Sequence, residues 1–257
     1  MADESTASSG KRRRNKNGVQ VGDELSFAAK EAFKRLRTNM IMSFPQEDTS
    51  CHAIGITSVQ PEEGKSTIAI NLAYSVAELG KKVLLMDADM RRASIHVKAD
   101  VERTPGLYEL LTGEDDISEC LRKYTNRNGD VSFDIIPGGG TAKNPSELLN
   151  SHRMTTLLEK LNTVYDYIIV DLPPIGAVVD AVAVSGGLDG MLVVIRENNC
   201  PQNLLAECMS QLEYANVNVL GFVVNGALEG SGKRYQYGKY GKYGKYYGSS
   251  GYYSSYY

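Results

Sequence analysis

The sequence Ser58-Val59-Gln60-Pro61-Glu62-Glu63-Gly64-Lys65-Ser66-Thr67 decides the fold of this 257-residue chain. It lies between a short apolar run at residues 53–57 and a stretch with helical periodicity at residues 68–79. A strand, a tight loop and a helix start that meet at Gly-Lys-Ser form a phosphate cradle, because N–H groups converge there and the helix dipole favours negative charge. Lys65 would add a positive charge, and the Ser66 hydroxyl is a ligand for Mg²⁺.

This phosphate loop departs from the usual pattern at one position. Val59 stands where the pattern has a Gly, five residues before Gly64. A Gly-Lys-Ser tripeptide alone also fits an ordinary helix start with Ser66 near the cap. The strand, loop and helix context favours nucleotide binding instead. The residues expected to contact the nucleotide are Glu63, Gly64, Lys65, Ser66, Thr67 and, after the last predicted strand, Asn225.

Strands and helices alternate through the rest of the chain, which predicts an α/β fold. Six apolar runs are predicted as strands: residues 53–57, 83–86, 133–136, 167–170, 191–195 and 219–224. Predicted helices cover residues 25–42, 68–79, 146–161 and 204–214. Apolar strands without polar alternation, separated by helices, indicate a mostly parallel sheet with helices on both faces.

Three carboxylates follow predicted strands and should meet at one edge of that sheet. Asp87 and Asp89 come after the second strand, and Asp171 comes after the fourth. Ligands of such sheets bind outside the carboxyl ends of the strands, where the phosphate loop also lies. Each Asp alone fits a helix cap or a loop ion pair. Together with Lys65 they predict a site of hard oxygen ligands suited to Mg²⁺ and to polarising a hydroxyl.

Composition excludes several other classes of protein. The formal net charge of −3 and the hydrophobic fraction of 42% are ordinary, so no nucleic-acid partner is expected. The four cysteines show no metal-binding spacing and suit a reducing cytosol. No apolar run reaches the length of a membrane span, and the start lacks a signal-peptide core. The prediction is therefore a cytoplasmic protein.

Two terminal segments differ from the predicted domain at residues 25–229. Residues 1–24 carry a basic cluster and are predicted to be a disordered arm, with contact to an anionic membrane leaflet as the alternative. Residues 230–257 are predicted to be a flexible tail, either a cluster of phosphate acceptors or a sticky, base-stacking strip. Its candidate acceptors are Tyr235, Tyr237, Tyr240, Tyr243, Tyr246, Tyr247, Tyr252, Tyr253, Tyr256 and Tyr257.

The phosphate loop, the sequence Asp87-Ala88-Asp89-Met90-Arg91, the sequence Asp171-Leu172-Pro173-Pro174 and the tyrosine cluster together resemble one family. They are similar to the bacterial tyrosine kinases of the cytoplasmic type, which work with a separate membrane adaptor in capsule or exopolysaccharide production. The resemblance implies a P-loop NTPase fold of the MinD-like type. It also implies an ATP-dependent protein-tyrosine kinase that phosphorylates its own tail, mainly between neighbouring subunits.

By this resemblance the cofactors are ATP and Mg²⁺, and the catalytic residues are Lys65, Asp87 and Asp89. Lys65 and Ser66 would hold the β- and γ-phosphates with the metal. The metal ligands would be Ser66, Asp87 and Asp171. Asp87 and Asp89 would serve the metal and the attacking tyrosine hydroxyl, and Asp87 is the favoured base.

The resemblance also implies a homo-oligomeric ring built through Glu31, Lys34 and Arg37. In this motif Lys34 replaces an Arg of the family, and Glu62 replaces a Gly in the phosphate loop. The implied partners are a transmembrane polysaccharide co-polymerase adaptor that activates the kinase, a phosphotyrosine phosphatase, and sugar-nucleotide enzymes as further substrates. The adaptor would recruit the protein to the inner face of the cell membrane.

Two other functions fit parts of the same pattern. A positioning or switch ATPase of the ParA/MinD type shares the phosphate loop and the carboxylates, but it carries a second lysine where this chain has Gln60, and it has no use for ten terminal tyrosines. A non-catalytic adaptor with a nucleotide switch would not need Lys65 and all three aspartates. The tyrosine-kinase hypothesis accounts for the most residues.

Overall fold

A seven-stranded sheet occupies the centre of the computed structural model, which describes residues 19–45, 50–178 and 180–227. The strand order is β3-β4-β2-β5-β1-β6-β7, and all neighbours are parallel except β3 and β4. The strands are β1 His52–Ser58, β2 Val83–Asp87, β3 Arg122–Thr125, β4 Ser132–Ile136, β5 Tyr167–Asp171, β6 Gly190–Arg196 and β7 Val219–Asn225.

Helices cover both faces of the sheet. They are α1 Phe27–Met42, α2 Lys65–Ala77, α3 Ile95–Ala99, α4 Leu107–Thr112, α5 Ile117–Cys120, α6 Pro145–Leu149, α7 His152–Asn162, α8 Asp180–Ala183 and α9 Gln202–Tyr214. On one face α2 packs on strand residues such as Ile54 and Leu85; on the other, α7 and α9 pack on Ile168 and Val193. Both faces of the strands are therefore apolar, as their sequences predict, and the predicted α/β fold is confirmed.

Helix α2 lies between the sheet and α1, and almost all of its side chains are buried. Its one buried amide side chain, Asn71, links two segments through three hydrogen bonds. Asn71 Oδ1 accepts from the N–H of Gly22 at 2.9 Å, and Asn71 Nδ2 donates to the carbonyls of Gln20 and Thr67 at 3.2 and 3.0 Å. Asn71 therefore ties the segment before α1 to the first turn of α2, where the phosphate loop ends.

Two features of the sheet and helices differ from the prediction. Strand β3 (Arg122–Thr125) was not predicted, since it is polar and lies at the edge of the sheet, where β4 alone of the described strands pairs with it. The predicted helix at residues 146–161 is two helices, α6 and α7. The chain turns at Asn150, and the Ser151 hydroxyl then accepts a hydrogen bond from the Met154 N–H to cap α7.

The predicted arm at residues 1–24 needs a correction at its last residues. Val21 is buried in the core beside α2, and residues Gly22–Glu24 form a short 3-10 helix. The basic cluster of the arm lies outside the described residues, and so do all ten tail tyrosines. Among the helices that the structure describes, none is both long and apolar enough to cross a membrane.

Candidate active site

A cavity of about 460 Å³ opens at the carboxyl ends of the central strands. Its walls come from the phosphate loop, from the segment between β2 and α3, and from the Pro173-Pro174 turn after β5. The side chains of Lys65, Ser66 and Thr67 line it, and Asp89 faces them. The structure thus brings together the loop and the strand ends that the sequence singled out.

The phosphate loop needs Gly64 for two reasons. Its φ of +95° lies in the left-handed region, and a Cβ at this position would lie 2.1 Å from Nδ2 of Asn225. Asn225 Nδ2 also donates to the Glu63 carbonyl at 2.8 Å. Asn225, predicted to contact the nucleotide, is thus placed against the back of the phosphate loop rather than in the wall of the cavity.

Glu63 supports the loop from within. Its fully buried carboxylate accepts hydrogen bonds from the N–H of Gln60 at 2.9 Å and from the N–H of Arg196, at the end of β6, at 3.4 Å. The side chain does not line the cavity. Val59, the departure from the usual pattern, is likewise buried and packs in the core below the loop.

Glu62 adopts a left-handed backbone, with a φ of +65°, and its side chain is exposed at the rim of the cavity. A left-handed conformation costs a residue with a Cβ roughly 1–2 kcal/mol. The carboxylate also brings negative charge to a site that would receive phosphates. A glycine at this position would avoid both the backbone strain and the negative charge.

The change Glu62→Gly is expected to lower the Kd for ATP in the presence of Mg²⁺ about threefold, because it removes a negative charge near the phosphates. Stability should change by less than about 1 kcal/mol, since the relief of backbone strain is offset by the greater freedom of glycine in the unfolded chain. Glu62→Gln removes the charge but leaves the backbone strain, so it should lower the Kd by a similar factor. Calorimetric titration with ATP measures the Kd, and an equal Kd in all three chains would contradict the charge argument.

Lys65 sits between two carboxylates. Its Nζ lies 2.7 Å from Oδ2 of Asp89 and 3.5 Å from Oδ1 of Asp171, and the Ser66 hydroxyl is 3.4 Å away. Burial alone would lower the pKa of Lys65, but the charges of Asp171 and Asp89 outweigh burial and raise it. The ammonium group therefore stays protonated and occupies the centre of the site.

Asp87 and Asp171 are paired in register on the adjacent strands β2 and β5, and both are fully buried. Oδ2 of Asp87 accepts from the N–H groups of Ser94 and Ile95 at 2.9 and 3.0 Å. Within the described part of the chain, Oδ1 of Asp87 and Oδ2 of Asp171 have no hydrogen-bond partner. Two buried carboxylate oxygens without partners beside the Ser66 hydroxyl fit a hard divalent cation such as Mg²⁺.

These carboxylates would supply only part of a coordination shell. Among the described residues, no cluster of three or more His, Cys, Asp or Glu side chains has the geometry to hold a metal by itself. Mg²⁺ usually keeps several waters and binds one or two carboxylates together with the phosphates of its substrate. The arrangement of Asp87, Asp171 and Ser66 therefore suits a metal that arrives with a nucleotide.

Without metal, the paired carboxylates should make stability depend on pH. Burial, followed by the charge of Asp171, raises the pKa of Asp87 to about 7 from its ordinary 3.8, and burial also raises the pKa of Asp171. The folded chain thus keeps a proton that the unfolded chain loses, so this stability is present at low pH and is lost as pH rises from about 4 to 7.

The expected result is that the metal-free chain loses on the order of 3 kcal/mol of stability between about pH 5 and pH 8. Urea unfolding at several pH values in EDTA measures it. Asp87→Asn should flatten this dependence, and Asp134→Asn, in which the altered side chain still accepts from Tyr165, serves as the matched control. A flat profile in the unaltered chain would contradict the prediction.

Two further groups at the cavity were not predicted as site residues. Arg91, which lines the cavity, donates to Asp180 at 2.7 Å, and the Ser146 hydroxyl donates to the same carboxylate. Burial would raise the pKa of Asp180, but these bonds outweigh burial and lower it. Lys98, on α3, also lines the cavity. The sequence around Lys98 contains no motif that predicts a site residue, because Lys98 reaches the cavity only through the position of α3 in the fold.

The three residues predicted for oligomerisation lie on α1 and divide into two groups. Glu31 and Lys34 form an exposed ion pair at 2.8 Å. Arg37 instead points at α2, where it donates to the Ser75 carbonyl and lies 3.6 Å from Glu78. The side chain of Arg37 is only 13% exposed, so it joins α1 to the helix that follows the phosphate loop. The role of these residues in a ring stays a prediction.

The parallel sheet, the phosphate loop and the carboxylates at one edge define a P-loop nucleotide-binding protein. A model of the AAA domain matches residues 52–213. Tyrosine-protein kinase etk of Escherichia coli (strain K12) is 36% identical over 215 residues, which are 84% of this chain and 29% of that protein. Tyrosine-protein kinase YwqD of Bacillus subtilis (strain 168) is 34% identical over 207 residues, which are 80% of this chain and 85% of that protein.

The comparison with solved structures also finds a bacterial tyrosine kinase. The kinase domain of Escherichia coli tyrosine kinase ETK matches with a TM-score of 0.73 and 34% identity, over 82% of this chain and 80% of that one. The chain belongs to the bacterial tyrosine-protein kinase family, as its sequence motifs suggested. The septum site-determining protein MinD of Pyrococcus horikoshii, at 22% identity and a TM-score of 0.56, shares the fold alone. The ParA/MinD alternative is therefore less well supported.

Proposed function

We propose that this chain is an ATP-dependent protein-tyrosine kinase whose substrates include the tyrosine cluster of its own carboxyl-terminal tail. The observation that carries the proposal is the grouping of Lys65 with Asp89 and with the paired Asp87 and Asp171. It lies at the mouth of a phosphate loop in a chain of the tyrosine-protein kinase family. The chain spans only 29% of the length of its Escherichia coli relative. Membership of the family therefore does not by itself give this chain the activity of the whole relative, and the activity is our proposal.

The chain's own residues have distinct tasks in this proposal. Backbone N–H groups of the phosphate loop and the start of α2 would bind the β-phosphate. Ser66, Asp87 and Asp171 would hold Mg²⁺, which when bound neutralises charge on the β- and γ-phosphates. Lys65 would move its ammonium group from Asp89 to the phosphates. That movement would release the Asp89 carboxylate into the cavity.

Transfer then requires a proton acceptor. The tyrosine oxygen attacks the γ-phosphorus, the bond from that phosphorus to the β–γ bridging oxygen breaks, and the phenolic proton passes to a carboxylate. Asp89 lines the cavity, whereas Asp87 is fully buried and does not. The geometry therefore supports Asp89 as the base, in place of the sequence-based preference for Asp87, and leaves Asp87 for the metal.

The wider setting of the proposal rests on the family. It includes a homo-oligomeric ring, a transmembrane polysaccharide co-polymerase adaptor that activates the chain at the inner face of the membrane, and an opposing phosphotyrosine phosphatase. Sugar-nucleotide enzymes would be further substrates. Together these partners would place the kinase in the control of capsule or exopolysaccharide synthesis and export.

The test is incubation of the full chain with ATP and Mg²⁺, followed by mapping of phosphotyrosine by mass spectrometry. Transfer between subunits is examined by mixing two variants. A Lys65→Met chain with an intact tail supplies acceptors, and an active chain with all ten tail tyrosines changed to Phe supplies the kinase. Phosphate on the Lys65→Met tail supports transfer in trans.

Two results would count against the proposal. ATP hydrolysis without any phosphotyrosine would favour a positioning or switch ATPase instead. Phosphotyrosine in the unaltered chain, with no label on the Lys65→Met tail in the mixture, would keep the kinase and reject transfer between subunits.

A further inference from the structure

Lys98 lies on helix α3, whose first turn is bound to Asp87, and it lines the active-site cavity. The N–H groups at the start of this helix, from Ser94 and Ile95, bind the Asp87 carboxylate. The N–H of Lys98 bonds back to the Ser94 carbonyl at 3.2 Å, so Lys98 lies one turn further along. Helical side chains lean toward the amino-terminal end of their helix. The side chain of Lys98 therefore leans toward the turn that holds Asp87.

The surroundings of Lys98 are those of the metal and phosphate end of the cavity. Burial lowers the pKa of Lys98, Lys65 adds to the decrease, and the charges of Asp171 and Asp87 oppose it. All three of these neighbours belong to the grouping that would hold the metal and the terminal phosphates. The half-buried side chain of Lys98 lines the same cavity as Lys65.

Four basic side chains line the cavity among the described residues: Lys65, Arg91, Arg92 and Lys98. Arg91 donates to Asp180 at 2.7 Å, and Arg92 is exposed at the rim. Lys65 and Lys98 are the two ammonium groups that line the cavity within the part of the chain that the structure describes. A nucleoside triphosphate carries more negative charge than Lys65 alone can balance. Its γ-phosphate would bring part of that charge to the end of the cavity that holds Lys65 and the carboxylates.

We propose that Lys98 binds the γ-phosphate of the nucleotide together with Lys65, and so makes the site prefer a triphosphate to a diphosphate. This inference deepens the proposed function and rests on it for the orientation of the nucleotide. The contact would persist as the γ-phosphoryl group moves to tyrosine, so Lys98 would also stabilise the charge that spreads over its oxygens during transfer.

The test measures binding apart from activity. Calorimetric titration of the full chain with ADP and with a non-hydrolysable ATP analogue, both with Mg²⁺, gives the ratio of the two affinities. Lys98→Met is expected to lower that ratio about tenfold and to change ADP affinity less than threefold, because ADP lacks the γ-phosphate. Lys98→Arg keeps the charge and should retain most of the preference. Lys81→Met, at the exposed start of the segment before β2, is the matched control.

Several outcomes would overturn the assignment. An unchanged ratio in Lys98→Met would do so, and so would an equal loss of affinity for both nucleotides, which would indicate a structural role. If Lys98→Met does not fold, the same titrations on Lys98→Gln decide in its place. A chain that shows the Lys98-dependent preference but makes no phosphotyrosine would retain this inference and reject the kinase proposal.

Discussion

Changing Lys65 to Met is expected to reduce the rate of phosphotyrosine formation at least about 10³-fold, the largest effect of any single change considered. The ammonium group is the cation that would follow the β- and γ-phosphates through transfer, and methionine keeps the length of the stem without the charge. The measurement is the initial rate of phosphotyrosine formation with ATP and Mg²⁺. Lys81→Met, which removes an exposed lysine far from the cavity, should leave that rate unchanged.

The same change should also destabilise the chain without nucleotide. It leaves Asp89 and Asp171 buried without their shared cation, a loss of about 3 kcal/mol. That loss should shrink at low pH, because burial raises the pKa of Asp171 and favours its neutral form there, so unfolding curves at two pH values separate it from a general folding defect. A Lys65→Met chain that retains more than a tenth of the activity would remove Lys65 from the mechanism.

Changing Asp171 to Asn is expected to reduce phosphotyrosine formation about 10²- to 10³-fold through loss of the metal. Its unpartnered Oδ2 would be replaced by an amide nitrogen, which cannot bind a cation, while the remaining oxygen can still accept from Lys65. The affinity for ADP in the presence of Mg²⁺ should fall to the value measured in EDTA. Calorimetry with and without the metal measures this difference.

The control for Asp171 is Asp134→Asn, on strand β4, which is separated from β5 by β2; the altered side chain still accepts from the Tyr165 hydroxyl. It should keep both the activity and the metal dependence of ADP binding. If Asp171→Asn bound ADP equally well with and without Mg²⁺ but remained fully active, the metal would be held elsewhere. If it kept the metal dependence, Asp171 would not be a ligand.

Much of the fold could be predicted because buried parallel strands have distinctive sequences. The runs that became β1, β2 and β5 are apolar on both faces, and the predicted bounds are correct to within one residue at each end. Strand β3 carries Arg122 and Lys123 and lies at the edge of the sheet formed by the described strands, so no apolar pattern marks it. The break between α6 and α7 depends on a turn at Asn150 that helical periodicity does not reveal.

The site divides in the same way. Lys65, Asp87, Asp89 and Asp171 could be assembled from the sequence because each follows a strand of a parallel sheet, and the carboxyl ends of those strands share one edge. Glu63 and Asn225 could be located at the loop but not assigned their contacts, since the direction of a side chain depends on the turn. Lys98 and Asp180 come from helices whose placement is a property of the packed chain.

Asn71 couples the local stability of the segment before α1 to that of the first turn of α2. One buried amide group satisfies the backbone at Gln20, Gly22 and Thr67 simultaneously. If the segment before α1 detaches, Asn71 loses two partners, and the first turn of α2 loses a neighbour that orders it. Opening of that segment and opening of the phosphate loop should thus occur as one cooperative unit in hydrogen exchange. A ligand that binds the segment before α1 would therefore change the local stability of the phosphate loop as well.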